Sequence, residues 1–162
     1  MIYFISDTHF FHKNIIKYCN RPFNSVEEMN NTIINNWNKT VKKEDIVYHL
    51  GDFILNNNEL ESIVKRLNGK IYFIRGNHDH KSINYYNRMG LNVIPTQTKL
   101  DEYKIVLSHR PLSDEQIPKG YKNIHGHIHE KELDENIFDK NKHINVSVDV
   151  INFTPIDINK LI

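Results

Sequence analysis

The stretch Lys70-Ile71-Tyr72-Phe73-Ile74-Arg75-Gly76-Asn77-His78-Asp79 decides how the rest of the chain is read. Its first half is aromatic and β-branched, the composition of a buried strand. It stops at Gly76, a residue that tolerates turns others resist. Asn77, His78 and Asp79 follow at once and stand at the C-terminal edge of the expected strand, where open α/β sheets hold their ligands. A loop steadied by a rigid strand is a common seat for chemistry.

The same theme recurs on both sides. An apolar run at 2–5 leads into Ser6-Asp7-Thr8-His9, and a second at 46–50 into Gly51-Asp52. A third at 104–107 leads into Ser108-His109-Arg110, and Asn123-Ile124-His125 opens onto Gly126-His127-Ile128-His129. Between them lie helical periods. Ser25 and Glu28 have capping-box spacing, and Val26, Met29, Ile33, Ile34 and Trp37 share one face, which predicts a helix from Ser25 to about Asn38. Shorter helices are expected over 14–18, 58–67 and 82–89, a hairpin over 95–103 ahead of the strand at 104–107, and late strands near 144–149 and 156–158. Helices alternate with strands early and strands cluster late, so the expectation is a single α/β domain over 1–162. Its sheet is mixed, or split into two sheets packed face to face with helices outside.

Composition narrows the function classes. The 162 residues suit one core, and the formal charge of +1 gives no basic stripe of the kind nucleic-acid binders carry. No apolar run approaches the roughly 20 residues of a membrane span, and the start of the chain does not read as a signal peptide, so a cytoplasmic protein is expected. The single cysteine, Cys19, allows no internal disulfide and is expected to be a buried, inert thiol. Nothing in the sequence speaks to oligomeric state.

Ten histidines are many for this length. The polar residues at the strand exits are Asp7, His9, Asp52, Asn77, His78, Asp79, His109, His127 and His129. Carboxylates mixed with imidazoles suit Zn, Mn, Fe or Ni better than Mg or Ca. They are too many for one tetrahedral ion and about enough for two ions sharing a carboxylate, whose two oxygens can bridge. His127 and His129, two apart, fall on one side of an extended segment. Paired ions about 3.5–4 Å apart clamp an in-line phosphoryl displacement and lower the pKa of water, making hydroxide available as nucleophile.

At these residues the sequence resembles the calcineurin-like metallophosphoesterases, whose motif order is Asp-x-His, Gly-Asp, Gly-Asn-His-Asp/Glu, His and Gly-His-x-His. All five are present between Asp7 and His129. The resemblance implies two mixed sheets flanked by helices, a four-layer sandwich, with a dinuclear centre, Mn being the first choice of metal. It implies that Asp7, His9 and His129 hold one ion, that Asn77, His109 and His127 hold the other, and that Asp52 bridges. It gives His78 the catalytic role of contacting the phosphate and protonating the leaving oxygen. Gly51-Asp52-Phe53-Ile54-Leu55-Asn56 lacks the Asp-Arg-Gly extension of the protein phosphatases in this family. The opening Asp7-Thr8-His9-Phe10-Phe11-His12-Lys13-Asn14-Ile15-Ile16, with Cys19-Asn20-Arg21-Pro22-Phe23 after it, is similar to small bacterial, archaeal and phage phosphoesterases.

The expected activity is hydrolysis of a phosphodiester on a small substrate, a nucleotide or cyclic nucleotide among the options. Phosphomonoester hydrolysis is the alternative, and a non-catalytic interaction module on the same fold the remote one. His12, Arg21 and Arg110 are candidate substrate-phosphate contacts. Asp79 is expected to support His78 or a metal ligand, and Asp149 to back a metal-bound histidine. His49 and His125 lie inside strand-like runs and are expected to be buried and structural.

Overall fold

The computed structural model describes residues 1–162. In chain order its elements are β1 (Ile2–Ile5), α1 (Lys13–Tyr18), α2 (Val26–Thr40), β2 (Ile46–His49), α3 (Leu60–Arg66), β3 (Lys70–Phe73), α4 (Ile83–Arg88), β4 (Asn92–Val93), β5 (Gln97–Leu100), β6 (Ile105–Ser108), β7 (Lys122–His125), β8 (His143–Asn145) and β9 (Ile156–Asp157). One sheet has the order β4-β3-β2-β1-β9 and the other β5-β6-β7-β8. Each is parallel except for one edge: β9 runs antiparallel to β1 and β5 antiparallel to β6. Parallel neighbours need crossovers, and α1 to α4 supply them for the first sheet. All four helices belong to that half. The outer face of the second sheet is covered by irregular chain, with Leu112 and Ile117 packed on Val106.

Side-chain alternation divides the core. In β1, Phe4 faces the second sheet and packs with Leu50, Ile74, Leu107, Ile124 and Val146. Tyr3 and Ile5 face the other way, into the larger cluster with Met29, Ile33 and Trp37 of α2 and with Leu60 and Ile63. Period two on the strand and 3.6 on the helix thus produce both cores. Ser25 caps α2 by accepting from the Glu28 N–H at 3.1 Å, and the Glu28 carboxylate accepts from Asn24 N at 2.7 Å. α2 runs on to Thr40, two residues past the expected end.

The arrangement aims one end of every parallel strand the same way. Asp7 and His9 follow β1, Asp52 follows β2 and Asn77 follows β3; His109 follows β6, and His127 and His129 follow β7. A bridge between Ser6 and Ser147 joins the first sheet to the end of β8 at this edge. No helix is long and apolar enough to cross a membrane.

Candidate metal centre

The strand-exit residues form two adjoining groups. Ligand-type atoms of Asp7, His9 and His129 lie within 4.8 Å of one another, and so do those of Asp52, His109 and His127. Asp52 Oδ2 stands between them, 3.6 Å from His9 Nε2 and 3.5 Å from His109 Nε2. Sequence reasoning expected both Asp52 oxygens to face ions. Oδ1 instead accepts the His78 backbone N–H at 2.9 Å, so Oδ2 alone faces both groups. Asn77 joins the second group, its Oδ1 being 2.9 Å from His109 Nε2.

Hydrogen bonds behind the site fix which atoms face it. His109 Nδ1 lies 2.8 Å from the Leu50 carbonyl, which can only accept, so Nδ1 carries the proton and Nε2 points inward. His129 Nδ1 likewise donates to Asp149 Oδ2 at 2.8 Å, leaving Nε2 3.9 Å from Asp7 Oδ1. Asp7 Oδ2 accepts from the His127 N–H at 2.8 Å and from Ser147 Oγ at 3.0 Å. Asp7 Oδ1 and His9 Nε2 are buried without any hydrogen-bond partner. With His109 and His129 neutral and protonated on Nδ1, their Nε2 atoms converge as acceptors with the Asp7, Asp52 and Asn77 side-chain oxygens. Buried unpaired acceptors cost about 1–3 kcal/mol each, and a divalent cation resolves the convergence. The outward nitrogens of His109 and His129 are engaged by a carbonyl and a carboxylate, the usual support of metal-binding histidines. The residues therefore fit divalent metal.

The protonation balance has the same origin. Burial alone would raise the Asp52 carboxyl, but the nearby His109 and the His78 N–H outweigh it and hold it far below the usual carboxylate range. Burial pushes His9 far down. Burial opposes a proton on His129 too, yet the bond to Asp149, with Cys19 and Asp7 adding, lifts it to about 10.

Backbone strain concentrates at this edge. Asp7, His9, Asp52, His127 and His129 have φ of 58°, 48°, 53°, 71° and 52°. A left-handed conformation costs a residue with a side chain about 1–2 kcal/mol, and such outliers gather at functional sites. It also corrects one expectation. His127 and His129 do not line one side of an extended segment. Both are left-handed, the chain turns between them, and each imidazole joins a different group. Glycines let the strand exits touch. A Cβ on Gly76 would strike the Asp52 carboxylate, and one on Gly126 would strike Ser6 Oγ and Asp7 Oδ2.

The other anticipated residues distribute as follows. His78 is exposed, its ring 5.6 Å from that of His9. His12 directs its ring at the same histidine, Nδ1 to Nδ1 at 3.5 Å. Arg110 is exposed at the rim beside His109. Arg21 departs from the phosphate-clamp expectation. Its side chain is buried, donating to Asp149 through Nε (2.8 Å) and Nη2 (3.2 Å) and to the Thr8 and Asp7 carbonyls at 3.0 and 2.7 Å. It is an anchor beneath the first motif. Asp79 does not hold the His78 ring. It accepts the backbone N–H groups of Gly76 (2.6 Å), Asp52 (2.6 Å) and Phe53 (3.1 Å), stapling two strand exits together. Asp149 backs His129 and pairs with Arg21. Cys19 is half-buried rather than buried, close to His129 and Asp149. His49 and His125 are fully buried. His49 accepts from Gly51 N and lies 3.0 Å from Thr8 Oγ1.

Sequence reasoning missed Ser147, which holds Asp7, and Asn123. Buried Asn123 accepts from Leu112 N and donates to Val106 O and Ser108 Oγ, fixing the turn that carries His109. Neither sits in a motif. The one available signal for Asn123 was an asparagine inside a strand-like run, just before Ile124.

Comparison with known proteins follows the same outline. The model of the calcineurin-like phosphoesterase family matches residues 1–157. An uncharacterized protein of Methanocaldococcus jannaschii, MJ1445, is 48% identical over 166 residues, covering 99% of this chain and 89% of its own. The crystal structure of AQ665, a protein of unknown function from Aquifex aeolicus, superposes with a TM-score of 0.74 at 32% identity, covering 100% of this chain and 99% of that one. The nuclease MPE of Pseudomonas putida shares the fold, with a TM-score of 0.53 at 19% identity over 79% of this chain and 61% of that one.

Proposed function

The chain belongs to the calcineurin-like phosphoesterase family, and on that premise we propose that it hydrolyses a phosphodiester of small size with two divalent transition-metal ions, Mn foremost, at the Asp52 site. The family assigns metal-dependent phosphoester hydrolysis. The diester reading is supported by one observation: two clefts flank the ligand row. One, of about 440 Å³, opens beside Asn77 and His109, and the other, of about 360 Å³, beside His127 and His129. A diester has two arms to place and a monoester one.

In this reading Asp7, His9 and His129 would hold one ion, Asn77, His109 and His127 would hold the other, and Asp52 would serve both. Ions bound there supply charge against the phosphoryl oxygens and lower the pKa of an attacking water. The protein's own residues do the rest. His78, exposed and with its ring 5.6 Å from that of His9, would meet the phosphate and give a proton to the departing oxygen. His12 stands beside it. The Asp52 carboxylate positions the His78 backbone, so one residue links metal binding to proton transfer.

The test is turnover of bis-p-nitrophenyl phosphate against p-nitrophenyl phosphate by protein stripped of metal and reloaded with Mn. Preference for the diester supports the reading, and preference for the monoester replaces it with a phosphatase. Two bound ions with no turnover of either would indicate a non-catalytic module. His78→Ala is expected to lower turnover by about 10²–10⁴-fold with metal content unchanged, and loss of metal in that variant would contradict the role given to His78.

A further inference from the structure

The larger cleft is built for an anion. It takes in Asn77 and His109 of the ligand row together with Arg75 and Arg110, with Thr96, Gln97 and Gln116 also lining it and no acidic side chain. Arg110 is exposed and its guanidinium meets no carboxylate. Arg75 spends one donor on the Lys81 carbonyl at 3.1 Å and has no ion pair. Two arginines in one groove repel each other unless an anion lies between them, and arginine matches phosphate in two-point fashion. Gln116 accepts from Ser113 through Oε1, leaving its amide N–H groups free to donate. The smaller cleft differs: Ile15 and Tyr18 line it, and Tyr18 is 68% exposed.

We infer that the Arg75–Arg110 cleft is a binding site for a second phosphate, carried on one ester arm of the substrate a few bonds from the scissile phosphate, while the less polar arm lies toward Tyr18. The inference rests on the phosphodiesterase reading and deepens it. The substrate class becomes a small diester with a phosphorylated arm, such as a short oligonucleotide end, rather than a cyclic nucleotide or a neutral diester. A cleft of about 440 Å³ is of the size that holds a nucleotide-sized group. Arg75 and Arg110 are specificity residues here, gripping the second phosphate rather than the scissile one.

The experiment compares three thymidine dinucleotides, TpT, pTpT and TpTp, with the Mn-loaded protein, using bis-p-nitrophenyl phosphate as control. One of the phosphorylated forms is expected to exceed TpT in kcat/KM by about tenfold or more at low salt, and the ratio to shrink as salt screens it. In Arg75→Ala/Arg110→Ala the ratio is expected to fall to about one, and Arg75→Lys/Arg110→Lys to keep part of it. A wild-type ratio near one with the control turned over overturns the cleft assignment and leaves the phosphodiesterase reading standing. A ratio that survives the double alanine variant overturns it as well. If neither the control nor any dinucleotide is hydrolysed, the phosphodiesterase reading fails, and calorimetric titration of pTpT and TpTp decides the cleft by itself. Binding about tenfold weaker in the double alanine variant sustains it, and equal binding overturns it.

Discussion

Replacing Arg21 separates two accounts of one residue. As a phosphate clamp it would touch substrate, and Arg21→Ala would raise KM and leave stability alone. The structure places it beneath the site, its side chain fully buried and bidentate on Asp149, whose side chain is only 4% exposed. The same guanidinium holds the Asp7 and Thr8 carbonyls, and Asp149 in turn holds His129. Removing one partner of a buried pair costs about 3–5 kcal/mol, and without Arg21 the Asp149 carboxylate keeps only His129. For a chain of this size each kcal/mol moves Tm by about 2–4 °C. Arg21→Ala is therefore expected to lower the Tm of the metal-free protein by about 6–20 °C. Arg21→Lys should recover only part of it, because an ammonium cannot span Asp149 and two carbonyls together. Thermal unfolding in excess chelator, followed by circular dichroism, reads the effect free of substrate. In a double-mutant cycle with Asp149→Asn, the second change should cost much less once Arg21 is gone. A Tm within about 2 °C of wild type, accompanied by a raised KM, would refute the anchoring role and restore the clamp.

Further outcomes follow from the same geometry. Asp52→Asn should weaken metal binding in both groups at once, read as metal stoichiometry after dialysis, since Oδ2 is the atom they share; retention of one full equivalent would show that the groups do not share it. Gly126→Ala should destabilise the protein by about 1–3 kcal/mol, because the added methyl meets Ser6 and Asp7 in the buried strand exit; an unchanged urea midpoint would rule that crowding out. Stability of the metal-free protein should fall with acid in a way that depends on Asp149. Burial would raise that carboxyl, but His129 and Arg21 outweigh it and lower it. A lowered folded pKa gives stability fully present above the ordinary value of about 3.9 and lost as pH falls through the folded one. Urea midpoints below about pH 4 should therefore drop less steeply in Asp149→Asn than in wild type, and identical slopes would count against it.

The two layers of information divide along a physical line. Strand exits are marked locally: an apolar run, a glycine, then ligand-capable residues. The positions of Asp7, His9, Asp52, Asn77, His109, His127 and His129 at one edge of an α/β domain could therefore be read from residues 2–129 alone, as could the capped helix from Ser25. Period-two and 3.6 patterns report burial, so His49 and His125 were recognisable as interior. Tertiary structure decided what depends on partners far along the chain. Arg21 meets Asp149 across 128 positions and Ser147 meets Asp7 across 140, and no local pattern encodes a partner at that distance. It also decided direction. His127 and His129 separate because each backbone turns left-handed, and Asp52 offers one oxygen because His78 takes the other. Sequence spacing tells which residues reach the edge of the sheets. Which atom of each faces inward is settled by the hydrogen bonds behind it, and those exist only once both sheets have closed over the site.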